Sequence, residues 1–226
     1  PNKIRNVVVS DITFDAGGEI KDYDFYEAKI ESKYRLTYAE VEEAILRKKK
    51  IGSTSVNESI NALKELTIIL LDKRAKRNAL EIESSEPILK INNVGEVEAI
   101  NLSRRMFAHQ MIEEAMIAAN ICAIMFVKSS LEISINRFHD KPDTDKLLAL
   151  FEKFQSFGLK KSDDPIILLQ RCIEIAKRSE NATSLQSLIL QGLPRAIYSS
   201  KKSGHFGLQL EEYSHFTSPI RRYPDL

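Results

Sequence analysis

From Ala115 to Val127 the chain is apolar at every position except Asn120. The run is too short to cross a bilayer, which takes about 20 residues. Extended in both directions at helical spacing, it predicts a long helix over 104–128, capped by Ser103. One stripe breaks the pattern. Gln110, Glu113 and Asn120 stand at spacings of three and seven, which places them on one face, and His109 lies four residues before Glu113. A buried polar group without a partner costs about 1–3 kcal/mol, so the stripe needs either partners or water. It is therefore either an internal hydrogen-bond network between helices or the wall of a polar channel.

The elements around this helix read in order. Residues 7–15 and 19–32 form two strands joined by Gly17-Gly18. Thr37-Tyr38-Ala39-Glu40 forms a capping box that opens a helix ending at Lys48-Lys49-Lys50. Ser55 to Leu80 forms a long helix whose basic end (Lys73, Arg74, Lys76, Arg77) is expected to be a solvated face suiting the helix dipole. Ala79 to Leu102 reads as a hairpin turning at Asn92-Asn93-Val94-Gly95. Helices follow over 143–157, 163–179 and 182–198, the last interrupted by Gly192 and Pro194 and resuming over Leu193 to Ser199. The fold class is α+β, mostly helical with two β-hairpins.

Composition narrows function little. Lys plus Arg total 33 against 32 Asp plus Glu, so any phosphate-binding surface must come from local clustering. Cys122 and Cys172 lie in apolar helical patterns without CxxC spacing and are expected to be buried, reduced thiols of a cytoplasmic protein. No signal peptide or membrane span is visible. The chain opens with Pro1 and reads as a piece of a larger gene product.

The tail, Gly204 to Leu226, gathers turn formers and aromatics. Arg221 and Arg222 lie between Pro219 and Pro224, flanked by Phe216 and Tyr223. Arginine forks suit phosphate and aromatic faces suit bases, although exposed arginines in a turn are commonly just solvated.

The run from His215 to Leu226 (HFTSPIRRYPDL) resembles the signature of the ribonuclease II/ribonuclease R catalytic (RNB) domain family. Met111 to Asn120 (MIEEAMIAAN) resembles a second motif of that family. Phe25 to Ala28, Arg35 to Tyr38, His139 to Pro142 and Gly204 to Leu208 match in family order along the whole chain. The variants lie nearer the ribonuclease R branch. The resemblance implies the central part of a processive 3′-to-5′ exoribonuclease that hydrolyses single-stranded RNA to nucleoside 5′-monophosphates with Mg²⁺. By position, Arg221 would contact the scissile-side phosphate, Tyr38 would stack on a base near the 3′ end, and Glu113 would border the terminal nucleotide. Asn120, Arg222, His215 and Tyr223 join them as RNA-contacting residues.

Three departures qualify that implication. The family's aspartate cluster has no match in residues 1–226, so no metal ligand is assigned. Asp22 with Asp24, and Asp140 with Asp143 and Asp145, read instead as surface and helix-start carboxylates. The family's second base-clamping aromatic falls at or near Ile82, which has no π face. The cold-shock and S1 barrels of full-length members are missing, so residues 1–226 are expected to be a partial domain, truncated at both ends and inactive alone. The alternative is a non-catalytic RNA-binding or regulatory module on the same scaffold. The sequence fixes no oligomeric state.

Overall fold

The computed structural model describes residues 2–82, 87–92, 94–102 and 105–225. The chain opens with an antiparallel hairpin, β1 (Ile4–Phe14) and β2 (Ile20–Glu31), in a register that pairs Ile4 with Glu31 and Ile12 with Tyr23. Its turn is built by Asp15, whose Oδ1 accepts the N–H groups of Gly17 and Glu19 at 2.9 Å each. Gly18 adopts φ +78°, and a Cβ there would lie 2.7 Å from Cγ2 of Ile69. Only glycine lets this turn seat so closely against the following long helix.

Helix α1 (Tyr38–Arg47) starts where the sequence places it. Thr37 Oγ1 accepts the Glu40 N–H at 3.3 Å, and Glu40 Oε2 accepts the Thr37 N–H at 2.7 Å. Helix α2 (Thr54–Lys76) is capped by Ser53. The next hairpin, β3 (Pro87–Ile91) and β4 (Val97–Leu102), is shorter than expected because residues 79–82 are not strand. Asn93, within the expected turn, and the expected cap Ser103 lie outside the described residues.

Helix α3 (Phe107–Ser130) is the axle of the fold, packed by α1, α2 and both strands of the first hairpin. Met111, Ile117, Ala118, Cys122 and Ile124 are buried along it. By length and composition the whole helix could span a membrane, more than its central apolar run suggested. Its cover by protein is partial, with Ile112, Met125 and Phe126 left exposed, while its buried Glu114 and Asn120 find partners inside the molecule.

A second core forms where α4 (Thr144–Gln155), α5 (Pro165–Arg178) and α6 (Ala182–Gly192) pack around Phe154, Leu169, Cys172 and Ile189. Both cysteines are free and buried; burial pushes Cys122 up to about 11 and Cys172 up to about 12, leaving inert thiols. The expectation that helix resumes over Leu193 to Ser199 is overturned. After Pro194 the chain extends into β6 (Ile197–Ser199), which pairs with β5 (Asn136–Phe138) as a third two-stranded sheet. Proline lacks the N–H to continue the helix, and the partner strand lies far back in sequence, where periodicity does not reveal it.

The basic end of α2 is also corrected. Arg74 is buried, Lys73 donates to the Gly18 carbonyl at 3.0 Å and pairs with Glu19 at 2.9 Å, and Arg77 Nε donates to the Leu208 carbonyl at 2.9 Å. These three cations fasten α2 to the hairpin turn, to α3 and to the tail. Lys76 fits the expected solvated face, paired among the described residues with Asp72 one turn back.

Candidate nucleic-acid interface

One face of α3 organises the candidate residues. At about 100° and 1.5 Å per residue, His109, Glu113 and Asn120 fall within a sector of roughly 40° spread over about 16 Å of helix. Each holds a different element in place.

At the N-terminal end, the Tyr38 ring lies over the His109 ring with centroids 4.1 Å apart and planes tilted by 32°. His109 is itself oriented, because its Nδ1 accepts the Met106 N–H at 3.1 Å. Glu42 on α1 accepts the Ala108 N–H at 2.9 Å, so a carboxylate sits at the positive end of α3 and ties the two helices together. Tyr38 remains exposed beside an apolar groove of about 420 Å³ between the start of α1, α2 and α3.

One turn along, Glu113 lies between two arginines. Its Oε1 accepts from Arg74 at 2.8 Å, and its Oε2 accepts from Arg105. Arg74 also reaches the buried Glu114 at 2.7 Å, and Arg105 reaches Glu81 at 3.1 Å. Lys177 from α5 pairs with Glu81 at 3.4 Å, so three cations and three carboxylates alternate across the site. Burial opposes charge on Glu113, but the guanidinium of Arg74, and then that of Arg105, holds its carboxyl below the usual range. Burial likewise opposes charge on Arg74; its two carboxylate partners outweigh that and raise its pKa. Gln110 reaches toward Glu81 at 3.5 Å. The polar stripe is thus largely satisfied by protein, as an internal network requires, while the Glu113 side chain, both of its oxygens held by arginines, stays 37% exposed.

Two turns further, Asn120 is 2% exposed, with both ends of its carboxamide hydrogen-bonded. Its Nδ2 donates to the Tyr213 hydroxyl at 2.9 Å, and its Oδ1 accepts the N–H groups of Phe216 and Thr217 at 2.8 and 3.1 Å. The expectation that Asn120 touches RNA is therefore corrected. It has no free edge, and its work is to hold the arginine loop against α3.

That loop turns at Ser218, a non-glycine residue with φ +58°, and runs through a 3₁₀ turn over Pro219–Arg221. Left-handed backbone at such a residue stores about 1–3 kcal/mol and persists only where its surroundings enforce it. Arg222 helps enforce it, because its Nη1 donates to the Thr217 carbonyl across the loop. Arg222 is half-buried and positions the loop, whereas Arg221 and Tyr223 are exposed. His215 is held from within the fold. Its Nδ1 hydrogen-bonds the Tyr198 hydroxyl at 2.7 Å, and burial, followed by the nearby Arg222 charge, pushes it down to about 4. It is a neutral brace at ordinary pH. Ile82 is partly buried and packs against the α4–α6 core.

Sequence reasoning missed Arg74, Arg105, Glu81 and Tyr213. Arg74 was hidden by its place in a basic helix end. Tyr213 had only its position two residues before His215 as a signal.

Among the described residues, no three His, Cys, Asp or Glu side chains converge as metal ligands. Asp22 and Asp24 are exposed on β2, and Asp143 and Asp145 flank the start of α4. The described residues therefore do not fit the Mg²⁺ that the family resemblance implies.

Comparison with known proteins agrees with this architecture. A family model described as the RNB domain matches residues 1–226. Ribonuclease R of Escherichia coli (strain K12) is 35% identical over 237 residues, an alignment covering 100% of this chain and 28% of that protein. The apo form of Mycoplasma genitalium RNase R superposes with a TM-score of 0.90 at 28% identity, covering 100% of this chain and 36% of that one; the same protein has been solved with ribose-methylated single-stranded RNA and with double-stranded RNA. Yeast Ssd1, described as a pseudonuclease, shares the fold with a TM-score of 0.70 at 20% identity. This chain spans about a third of the length of the ribonuclease R relatives it matches. With its two motifs meeting at Asn120 and the family model matched from end to end, the chain belongs to the RNB domain family.

Proposed function

We propose that this chain forms the RNA-holding middle of a 3′-to-5′ exoribonuclease that draws in single-stranded RNA and releases nucleoside 5′-monophosphates. The observation that carries the reading is the single face of α3. It aligns the Tyr38 stack, the part-exposed Glu113 carboxylate and the Asn120-anchored loop bearing Arg221. One ring face of Tyr38 is backed by His109, leaving the other for a base, a stack worth about 1–3 kcal/mol. Glu113, held ionised, can only accept hydrogen bonds. That suits ribose hydroxyls and disfavours a phosphate at the same spot. Arg221 offers its planar fork to a phosphate. Divalent metal in the whole enzyme would activate water and stabilise charge on the phosphate. Free, buried thiols suit a reducing cytoplasm.

Binding of single-stranded RNA as a function of salt tests the reading. Phosphate contacts give a log–log slope of about −0.7 per contact on single strands, and Arg221→Ala should make the slope shallower by about that amount. Binding that is absent at low salt would refute the proposal. A second reading, a non-catalytic RNA module, draws support from the occurrence of this fold in a protein described as a pseudonuclease. Labelled poly(A) incubated with this 226-residue chain and Mg²⁺ is expected to stay intact under both readings. The two readings separate when the full gene product is assayed: shortening from the 3′ end supports the enzyme, and intact RNA supports the module.

A further inference from the structure

Away from the α3 face, a second groove of about 340 Å³ lies between the C-terminal end of α1 and α2. Lys48, Lys49 and Lys50 line one side; Asn57, Asn61 and Lys64 line the other. The groove is built rather than incidental. The Asn57 carboxamide accepts the Ile51 N–H at 2.9 Å and donates to the Ile51 and Ser53 carbonyls at 2.7 Å each, which ties the lysine-bearing loop to the first turn of α2. Lys48 sits at φ +50°, in the left-handed cap position that glycine ordinarily fills.

The charge in this groove is poorly matched. Among the described residues, Lys48, Lys50 and Lys64 pair with no carboxylate. Lys49 approaches Glu43 only at 3.9 Å, and Glu43 has a closer partner in Arg47 at 3.2 Å. Cations at the end of α1 suit its dipole. That accounts for the Lys48 run but not for Lys64, which is half-buried in the middle of α2. Four ammonium groups facing one small cleft repel one another unless an anion lies between them.

The cleft also leads somewhere. Ile60 lines both this groove and the apolar groove beside Tyr38. Along α1, a stacking ring beside one groove lies about 15 Å from the cluster of cations beside the other.

We infer that the trough between α1 and α2 is an auxiliary RNA site, in which Lys48, Lys50 and Lys64 bind consecutive backbone phosphates of a strand whose base stacks on Tyr38. The inference rests on the RNA-holding reading proposed above and extends it to a surface away from the α3 face. Lysines act here as mobile point charges, so the site grips backbone without reading sequence.

Fluorescence anisotropy with oligo(A) of about 5 and about 20 nucleotides, titrated against salt, tests the inference. The variant Lys48→Gln/Lys50→Gln/Lys64→Gln is compared with wild type and with Tyr38→Ala, each checked for folding by circular dichroism. The triple variant should bind the longer oligonucleotide about tenfold more weakly near 0.1 M salt, with a slope shallower by about 2, and bind the short one within about twofold of wild type. An unchanged slope on the long oligonucleotide overturns the trough. If Tyr38→Ala weakens both lengths while the triple variant weakens neither, the trough falls and the RNA-holding reading stands. A wild-type chain that binds neither oligonucleotide overturns both.

Discussion

Asn120 holds the backbone of Thr217 from inside α3. Its carboxamide oxygen accepts the Thr217 N–H at 3.1 Å alongside that of Phe216 at 2.8 Å, while its nitrogen donates to Tyr213. Replacing Asn120 by alanine strands two backbone donors and a tyrosyl hydroxyl in a buried place. Each such group costs about 1–3 kcal/mol, so the variant should lose about 3 kcal/mol after partial relaxation. Urea unfolding measures the loss. A change below about 1 kcal/mol would mean that the loop finds other partners.

Arg74 should be as sensitive for a different reason. It is the only partner of the buried Glu114 among the described residues, and it shares Glu113 with Arg105. Arg74→Met leaves an uncompensated buried carboxylate and should destabilise by about 3–5 kcal/mol. Arg74→Met combined with Glu114→Leu removes both charges and should recover most of the loss. Equal damage in the single and double variants would contradict this pairing.

These two predictions rest on opposite degrees of legibility. The polar stripe on α3 was visible because polar residues interrupt an apolar helix, and it had to find partners. Its division of labour was not visible. Whether Asn120 faces solvent or the 216–217 backbone depends on where residues nearly a hundred positions away are folded. The Thr37–Glu40 capping box and the hairpin at Gly17-Gly18 were legible since local hydrogen bonds and backbone sterics decide them. The strand at Ile197–Ser199 was not, because its pairing partner is Asn136–Phe138. The basic end of α2 misled for the same reason. A lysine or arginine near a helix end suits the dipole whether or not a distant carboxylate or carbonyl claims it.

Acid should loosen the fold before it disrupts ordinary surface pairs. Burial is the main cause that pushes His205 and His215 down to about 4 and lowers His139 as well. The unfolded chain, with histidines near 6.5, binds protons that the folded chain refuses. Stability is therefore fully present above about pH 6.5 and falls as pH drops toward 4. Glu113, held low by its arginines, adds a loss in the same direction below its unfolded value of 4.5. The urea midpoint followed from pH 7 to 4 should fall steadily, and His205→Asn with His215→Asn should flatten the upper part of that fall. A flat profile in the wild type would contradict the neutral-histidine picture.

Stability and RNA affinity should separate at Lys48. Lys48→Gly relieves left-handed backbone and should stabilise by about 0.5–1 kcal/mol, while removing one cation from the trough. Thermal unfolding should rise and RNA affinity should fall. A variant that is more stable and binds RNA equally well would show that the lysine serves only the loop.

The central claim is that one strand of RNA lies along the face of α3 that holds Tyr38, Glu113 and the Arg221 loop. Amide resonances followed by NMR while a short oligo(A) is added report this directly. Shifts in the backbone amides of Tyr38, His109 and Glu113 together with those of Thr217, Ser218 and Ile220 to Arg222, saturating at one common concentration, are the predicted result. Shifts confined to one of these groups, or two groups saturating at different concentrations, would contradict it.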